Sequence, residues 1–152
     1  MLVSLKEILK YAEAKKCAIG AFNTPNLEHL TGVLEAAEKK NMPVIIMHAQ
    51  IHEELGISNL DVIGDIMVMM AEKAKVPVCV HLDHGTDLAY LKKSLDMGFT
   101  SIMYDGSNLS AEENYANTSI AVEMAKRYGA SVEAEIGRMG AREGGGDNSE
   151  SI

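Results

Sequence analysis

The chain has 152 residues with 22 acidic and 14 Lys or Arg side chains, a formal net charge of −8 at pH 7. That balance argues against nucleic acid or an anionic membrane as a partner. With 47% hydrophobic and 24% charged residues, the composition is that of a globular domain, not a disordered or fibrous chain. The longest apolar runs, near Val44 to Met47 and Ile66 to Ala71, fall far short of the roughly 20 residues that cross a bilayer.

The opening segment, MLVSLKEILKY, carries Lys6 and Glu7 inside its apolar pattern and so is not a secretory signal. Ser4 stands three residues before Glu7, the spacing of a capping box, and predicts a helix over Leu5 to Ala14. Strand-like runs follow at Cys17 to Phe22, Pro43 to Met47, Pro77 to His81, Phe99 to Tyr104 and Ser131 to Ile136. Between them, apolar residues recur three and four apart. Leu27, Leu30, Val33, Leu34 and Ala37 form the first such face, and Leu60, Ile63, Ile66, Val68 and Met70 the second. Leu88, Leu91 and Leu95 mark a third, and Ile120 with Met124 a fourth. Met67, Met69 and Met70 fit a packed helix. Cys17 and Cys79 lie in apolar runs with no disulfide spacing, which predicts a reduced, cytoplasmic protein and an inert thiol at Cys79.

Four strand–helix units and a fifth strand predict an α/β fold with a parallel sheet and right-handed crossovers. Polar residues decide between a closed barrel and an open sheet. Asn23, His48, Asp83 with His84, Asp105 and Glu135 stand at or just past the C-terminal ends of five successive strands. Five contributing strands favour a (β/α)8 TIM barrel, whose strand ends converge on one mouth, over an open sheet that binds at a single switch point. A full barrel takes about 250 residues. Residues 1–152 therefore read as the N-terminal part, roughly the first half, of one barrel domain, and residues 137–152 read as a mobile, Gly-rich active-site loop. The chain end is expected to mark a cut or a connection inside that loop.

Two constellations carry chemistry. In VCVHLDHG, Val78 to Gly85, strand alternation puts His81 and Asp83 on one side, with His84 where strand gives way to loop. An imidazole beside a carboxylate offers a metal ligand and a group that moves protons at a metal-bound substrate, although a solvated strand end reads the same way. In VEAEIGRMGARE, Val132 to Glu143, Glu133 and Glu135 share a strand face. Two carboxylates in an interior parallel strand are expensive unless a cation or hydrogen bonds compensate them; an edge strand with one wet face is the alternative. His29 reads as a surface residue and His52 as a loop residue. Lys73, Lys75, Lys92 and Lys93 read as solvated helix faces.

HLDHG (His81 to Gly85) and VEAEIGRMGARE together resemble the two signature motifs of the class II, zinc-dependent fructose-bisphosphate and tagatose-bisphosphate aldolases. AFN (Ala21 to Asn23), PVII (Pro43 to Ile46), GFTSIMYDGS (Gly98 to Ser107) and EEN (Glu112 to Asn114) fall in the same order. The resemblance implies a (β/α)8 barrel, homodimeric or larger, that reversibly cleaves a ketose 1,6-bisphosphate to dihydroxyacetone phosphate and glyceraldehyde 3-phosphate. It implies Zn²⁺ as cofactor, with a monovalent cation as a second candidate. By the same match His84 is a zinc ligand, Asp83 the acid/base at the substrate C4 hydroxyl, and Glu135 a carboxylate that binds or approaches the metal. Glu143 corresponds to the acid/base that takes the proton from dihydroxyacetone phosphate, Asn23 to a substrate-binding residue, and Asp105 and Glu133 to neighbours of the metal site.

Two departures accompany the match. Ala49, in MHAQ, stands where relatives place a phosphate-binding Ser, leaving His48 or Gln50 as substitutes. The family's other two zinc-binding histidines and its Gly-rich phosphate loops belong to the second half of the barrel. The chain alone is therefore expected to be inactive and to require the C-terminal half. The alternative is a non-catalytic, aldolase-like accessory subunit.

Overall fold

The computed structural model describes residues 1–137. The expectations placed on Glu143 and on the Gly-rich loop beyond Gly137 lie outside the described residues. Helix α1 (Leu5–Lys15) precedes five strands, β1 (Ala21–Asn23), β2 (Val44–Ala49), β3 (Val78–Gly85), β4 (Ser101–Tyr104) and β5 (Ser131–Ala134). The connections hold α2 (Leu27–Lys40), the short α3 (Gln50–Glu54) with α4 (Leu60–Lys73), then α5 (Leu88–Asp96) and α6 (Ala111–Lys126).

Every strand pairs in parallel with the next in the chain, in the order β1-β2-β3-β4-β5. A doubly wound sheet reverses its strand order at a switch point; this sheet never does, which is the progression of a barrel wall. The architecture is half of a (β/α)8 barrel.

Alternation along the central strands separates two apolar regions. Val44, Ile46, Val78, Val80, Leu82 and Ile102 face the helices and join Leu30, Leu34, Leu60, Ile63, Met67, Leu91 and Leu95 in the main core. Ile45 and Cys79 face the other way, onto Ile8 of α1, with Val3, Leu5, Ile19 and Met47 around them. Helix α1 thus plugs the N-terminal end of the inner face, and Leu2 bridges to Val78 beneath it. The plug is held at its start by the predicted box: the Ser4 side chain accepts from the Glu7 N–H, and the Glu7 carboxylate accepts from the Ser4 N–H.

Several elements differ from the sequence reading. Strand β1 begins at Ala21, not Cys17, because Lys16 adopts a left-handed conformation (φ 51°) and the Cys17 N–H still bonds back to Ala12 O as part of the helix cap. His52 belongs to α3, not to a loop, and is 5% exposed. Met67 is buried, but Met69 lies on the exposed side of α4. On α6 the buried residues are Asn114, Ala121 and Ala125, and Ile120 points out; small side chains there bring the helix close to the sheet. Strand β3 runs four residues past the predicted end and delivers the HLDHG segment to the mouth. Both cysteines are free. Among the described residues, no helix is long and apolar enough to cross a membrane.

Candidate active site at the strand C-termini

The mouth is built one strand at a time. Strand β1 ends in Asn23, whose Nδ2 donates to Asp83 Oδ2 at 3.3 Å. That bond fixes the amide orientation, since its oxygen would be repelled by the carboxylate. The other amide atom, Oδ1, is buried without a partner among the described residues. A buried acceptor of this kind costs about 1–3 kcal/mol unless a donor reaches it, so the position suits an incoming hydroxyl. Ala49, at the end of β2, lies opposite Asp83 in the register and places a methyl group at that level.

At the end of β3 the ladder shifts register between Leu82 and Gly85, and His84 takes a left-handed backbone (φ 46°). His tolerates this region better than most residues, at a cost of order 1–3 kcal/mol. The turn swings His84 out of the strand's alternation toward β4 and β5. Glycine suits the next position, Gly85, because a Cβ there would collide with the end of the Leu91 side chain and crowd the Met103 carbonyl at 3.1 Å.

His84 Nδ1 then lies 2.8 Å from Asp105 Oδ2, and Glu135 Oε2 lies 3.9 Å from the same nitrogen. Asp83 Oδ1 is 3.9 Å from Nε2. Burial alone would lower the His84 pKa, but the hydrogen bond to Asp105 and the charges of Asp83, Asp105 and Glu135 outweigh it and raise it. Burial likewise pushes the Asp105 carboxyl up, and hydrogen bonds from the Ser107 hydroxyl, His84 and the Ser107 N–H reverse the shift, leaving it lowered. Glu135 is located by its own backbone, whose carbonyl accepts from Asn114 Nδ2 at 2.8 Å.

His84, Asp105 and Glu135 each offer a ligand atom, all within 4.8 Å of one another. One imidazole nitrogen with two carboxylate oxygens is a donor set that fits a borderline divalent cation such as zinc. Three anionic groups gathered on one imidazole also create the negative potential that such a cation relieves.

His81 sits one layer below, 2% exposed, with Nδ1 2.8 Å from Ser101 Oγ and Nε2 3.5 Å from Glu133 Oε2. Burial holds its pKa down to about 4. Burial and the charge of Asp83 raise that of Glu133. Cys79, deeper on the same face, has its thiol pushed up to about 12 by burial, as expected of an inert cysteine.

One expected contributor is absent from the mouth. His48 follows the even alternation of β2 into the helix layer, where it is fully buried and its Nε2 lies 2.9 Å from Tyr90 Oη. It therefore does not replace the missing Ser. Gln50 is also engaged elsewhere: its Oε1 accepts from the N–H groups of Thr86 and Asp87, and its Nε2 donates to Thr86 Oγ1, holding the start of α3 against the connection between β3 and α5. His29 is exposed, as predicted, and pairs with its own helix cap, Asn26. Lys92 and Lys93 pair on helix surfaces with Asp96 and Asp61. Sequence reasoning missed Ser101, Ser107 and Asn114. All three lie within segments that the family resemblance already quoted, and a polar Ser in the interior strand SIMY was the available signal.

Comparison with known proteins agrees with this geometry. Residues 3–152 match the family described as "Fructose-bisphosphate aldolase class-II". The chain is 41% identical over 143 residues to the "Probable fructose-bisphosphate aldolase" of Bacillus subtilis (strain 168), covering 93% of this chain and 50% of that protein. It is 40% identical over 147 residues to the "6-phospho-5-dehydro-2-deoxy-D-gluconate aldolase" of Halalkalibacterium halodurans, covering 95% and 50%. Among solved structures, the YdjI aldolase from Escherichia coli K12 superposes with a TM-score of 0.84 at 37% identity, over 90% of this chain and 51% of that one. The chain thus spans about half the length of the relatives it matches. By the family match over nearly all its residues, the chain belongs to the class II fructose-bisphosphate aldolases.

Proposed function

We propose that this chain supplies the first half of the active site of a metal-dependent aldehyde-lyase that reversibly cleaves a phosphorylated ketose. The carrying observation is the convergence of His84, Asp105 and Glu135 beside the hydrogen-bonded pair Asn23–Asp83, all at the C-terminal ends of β1, β3, β4 and β5. The expected products from fructose or tagatose 1,6-bisphosphate are dihydroxyacetone phosphate and glyceraldehyde 3-phosphate. Relatives of nearly equal identity carry names for different phosphorylated substrates, which keeps the proposal at that class.

His84 would hold Zn²⁺, with Glu135 binding or approaching it, Asp105 steadying the imidazole, and further ligands coming from the C-terminal half of the barrel. A bound zinc supplies Lewis-acid stabilisation of the negative charge that develops when the C3–C4 bond breaks. Asp83, aimed by Asn23, takes the proton of the C4 hydroxyl in cleavage and returns it in condensation. The unpartnered Asn23 Oδ1 accepts a second substrate hydroxyl. Glu143 is the proposed acid/base for the three-carbon fragment. A monovalent cation site, a homo-oligomeric assembly and a cytoplasmic location complete the reading.

The test joins residues 1–152 to the C-terminal half of the Bacillus subtilis relative and assays cleavage of both bisphosphates with and without a chelator. The expected result is chelator-sensitive cleavage by the joined protein and none by the 152-residue chain alone. Normal turnover by the chain alone would overturn the half-site reading. A folded, zinc-loaded joined protein without activity would favour the accessory-subunit alternative.

A further inference from the structure

Beneath the mouth, three polar groups line up on the inner face of the sheet. Ser101 is fully buried at the start of β4 and His81 lies directly opposite it on β3. Glu133 reaches in from β5, its side chain about half exposed. A buried serine and a buried histidine in the middle of a parallel sheet stand where apolar side chains would gain more from burial, so packing alone gives no reason for them. Their geometry does. Ser101 Oγ lies 2.8 Å from Nδ1, and Glu133 Oε2 lies 3.5 Å from Nε2.

The two ring nitrogens of a neutral imidazole have opposite roles, one donating and one accepting. A proton on Nδ1 would leave the Nε2 lone pair facing a carboxylate. A proton on Nε2 instead faces that carboxylate, and the Ser101 hydroxyl donates to Nδ1. The second arrangement satisfies all three groups.

We propose that Ser101 and His81 are positioning residues: Ser101 fixes His81 as the Nε2–H tautomer, and His81 in turn anchors Glu133 so that its second carboxylate oxygen faces the substrate beside Asp83. Glu133 then accepts a substrate hydroxyl, a contact that suits a polyhydroxylated ligand, and neither Ser101 nor His81 touches the substrate. The arrangement resembles the carboxylate and carbonyl partners that orient catalytic histidines, run in reverse: here the histidine is the orienting group. This inference rests on the aldolase reading for its functional half, while the tautomer is a property of the chain itself.

The test has two arms. In the first, the 152-residue chain labelled with 15N-histidine is read by long-range ring NMR correlation at neutral pH. The expected His81 signature is a pyrrole-like Nε2 and a pyridine-like Nδ1. Ser101→Ala should shift it toward a mixed tautomer, and Ser101→Thr should restore it. A wild-type ring protonated on Nδ1, or a ring unmoved by Ser101→Ala, overturns the proposal with no reference to activity. In the second arm, the joined enzyme of the preceding section carries the same substitutions. Ser101→Ala should lower kcat by about 10- to 100-fold, the usual effect of losing an orienting partner, with zinc content unchanged and Ser101→Thr recovering most of the rate. Equal kcat in wild type and Ser101→Ala overturns the functional half. An inactive wild-type joined enzyme is a failure of the aldolase reading, which the NMR arm separates from failure of the tautomer.

Discussion

Two imidazole networks lie on opposite faces of the same sheet, and their contrast shows what distinguishes a site from a scaffold. On the helix side, His48 Nε2 meets Tyr90 Oη, and Tyr90 donates to Glu53 Oε2, which also accepts from the Leu60 N–H at the start of α4. Because the Tyr90 hydroxyl gives its proton to Glu53, it accepts from His48, so one chain of donors runs from β2 through α5 to the α3–α4 junction. Here a single carboxylate is answered by two donors, and Lys93 lies nearby over the Tyr90 ring. At the mouth the ratio is inverted. Asp83, Asp105 and Glu135 surround one exposed imidazole, His84, and Glu133 stands just below. In the first network the one carboxylate is balanced by its donors, although His48 Nδ1 is buried without a partner among the described residues. The second has a surplus of negative charge that a cation would complete.

The largest expected effect breaks the comparison at the metal. His84→Ala should weaken zinc or cobalt binding by more than about 100-fold, since loss of a ligand exceeds the 10- to 100-fold effect of losing an outer partner. His48→Gln should leave it unchanged. Titration calorimetry on the two variants decides, and comparable losses in both would show that the helix-side network is not separate from the mouth.

A smaller effect sharpens the contrast on the scaffold side. Tyr90→Phe removes the hydroxyl that links His48 to Glu53 and leaves a buried ring N–H unpaired, at about 1–3 kcal/mol of stability. Denaturant midpoints should fall accordingly, with metal affinity untouched. A stability equal to wild type would mean that the relay holds nothing.

The smallest effect is a pH slope. Burial, with the neighbouring His52 adding to it, lowers the His48 pKa to about 4, below the unfolded value near 6.5. Between those values the unfolded chain binds the proton and the folded chain does not, so stability rises with pH across that window and is fully present above about 6.5. One such group contributes at most about 1.4 kcal/mol per pH unit. His81 acts in the same direction, so His48→Gln should reduce the acid-side slope of the denaturation midpoint without abolishing it. An unchanged slope would remove His48 from the acid response.

Much of this arrangement was legible in the sequence, and for identifiable reasons. The five strands followed from short β-like runs separated by helical faces, and the polar residues at their ends, not periodicity, favoured the barrel over an open sheet. Polar residues at successive strand ends located the mouth at Asn23, Asp83, His84, Asp105 and Glu135. His48 defeated the same rule. It stands at a strand end, but a single step of alternation sends it to the opposite face, and the start of β2 has to be known to one residue before that can be read. The hydrogen-bonding partners were harder still. Ser101 reaches His81 through strand pairing, and Asn114 reaches the Glu135 carbonyl from the first turn of α6. Gly106 permits that approach, since a Cβ there would collide with the Asn114 side chain. Contacts of this type depend on register and helix placement, which no local pattern encodes.

The unbroken strand order has a consequence for how the chain acquires its shape. Each strand's partner is the strand made just before it, so the sheet can lengthen by one strand–helix unit at a time as the polypeptide emerges from synthesis, with helices packed on one face of the sheet. Pairing each strand with its predecessor keeps contact order lower than a sheet whose strand order reverses would require. The N-terminal plug is the exception. Leu2 pairs with Val78, and Ile8 packs with Cys79, both on the third strand. Leu2 and Ile8 must therefore wait for β3 before they can dock, and closure of the floor should lag behind growth of the wall.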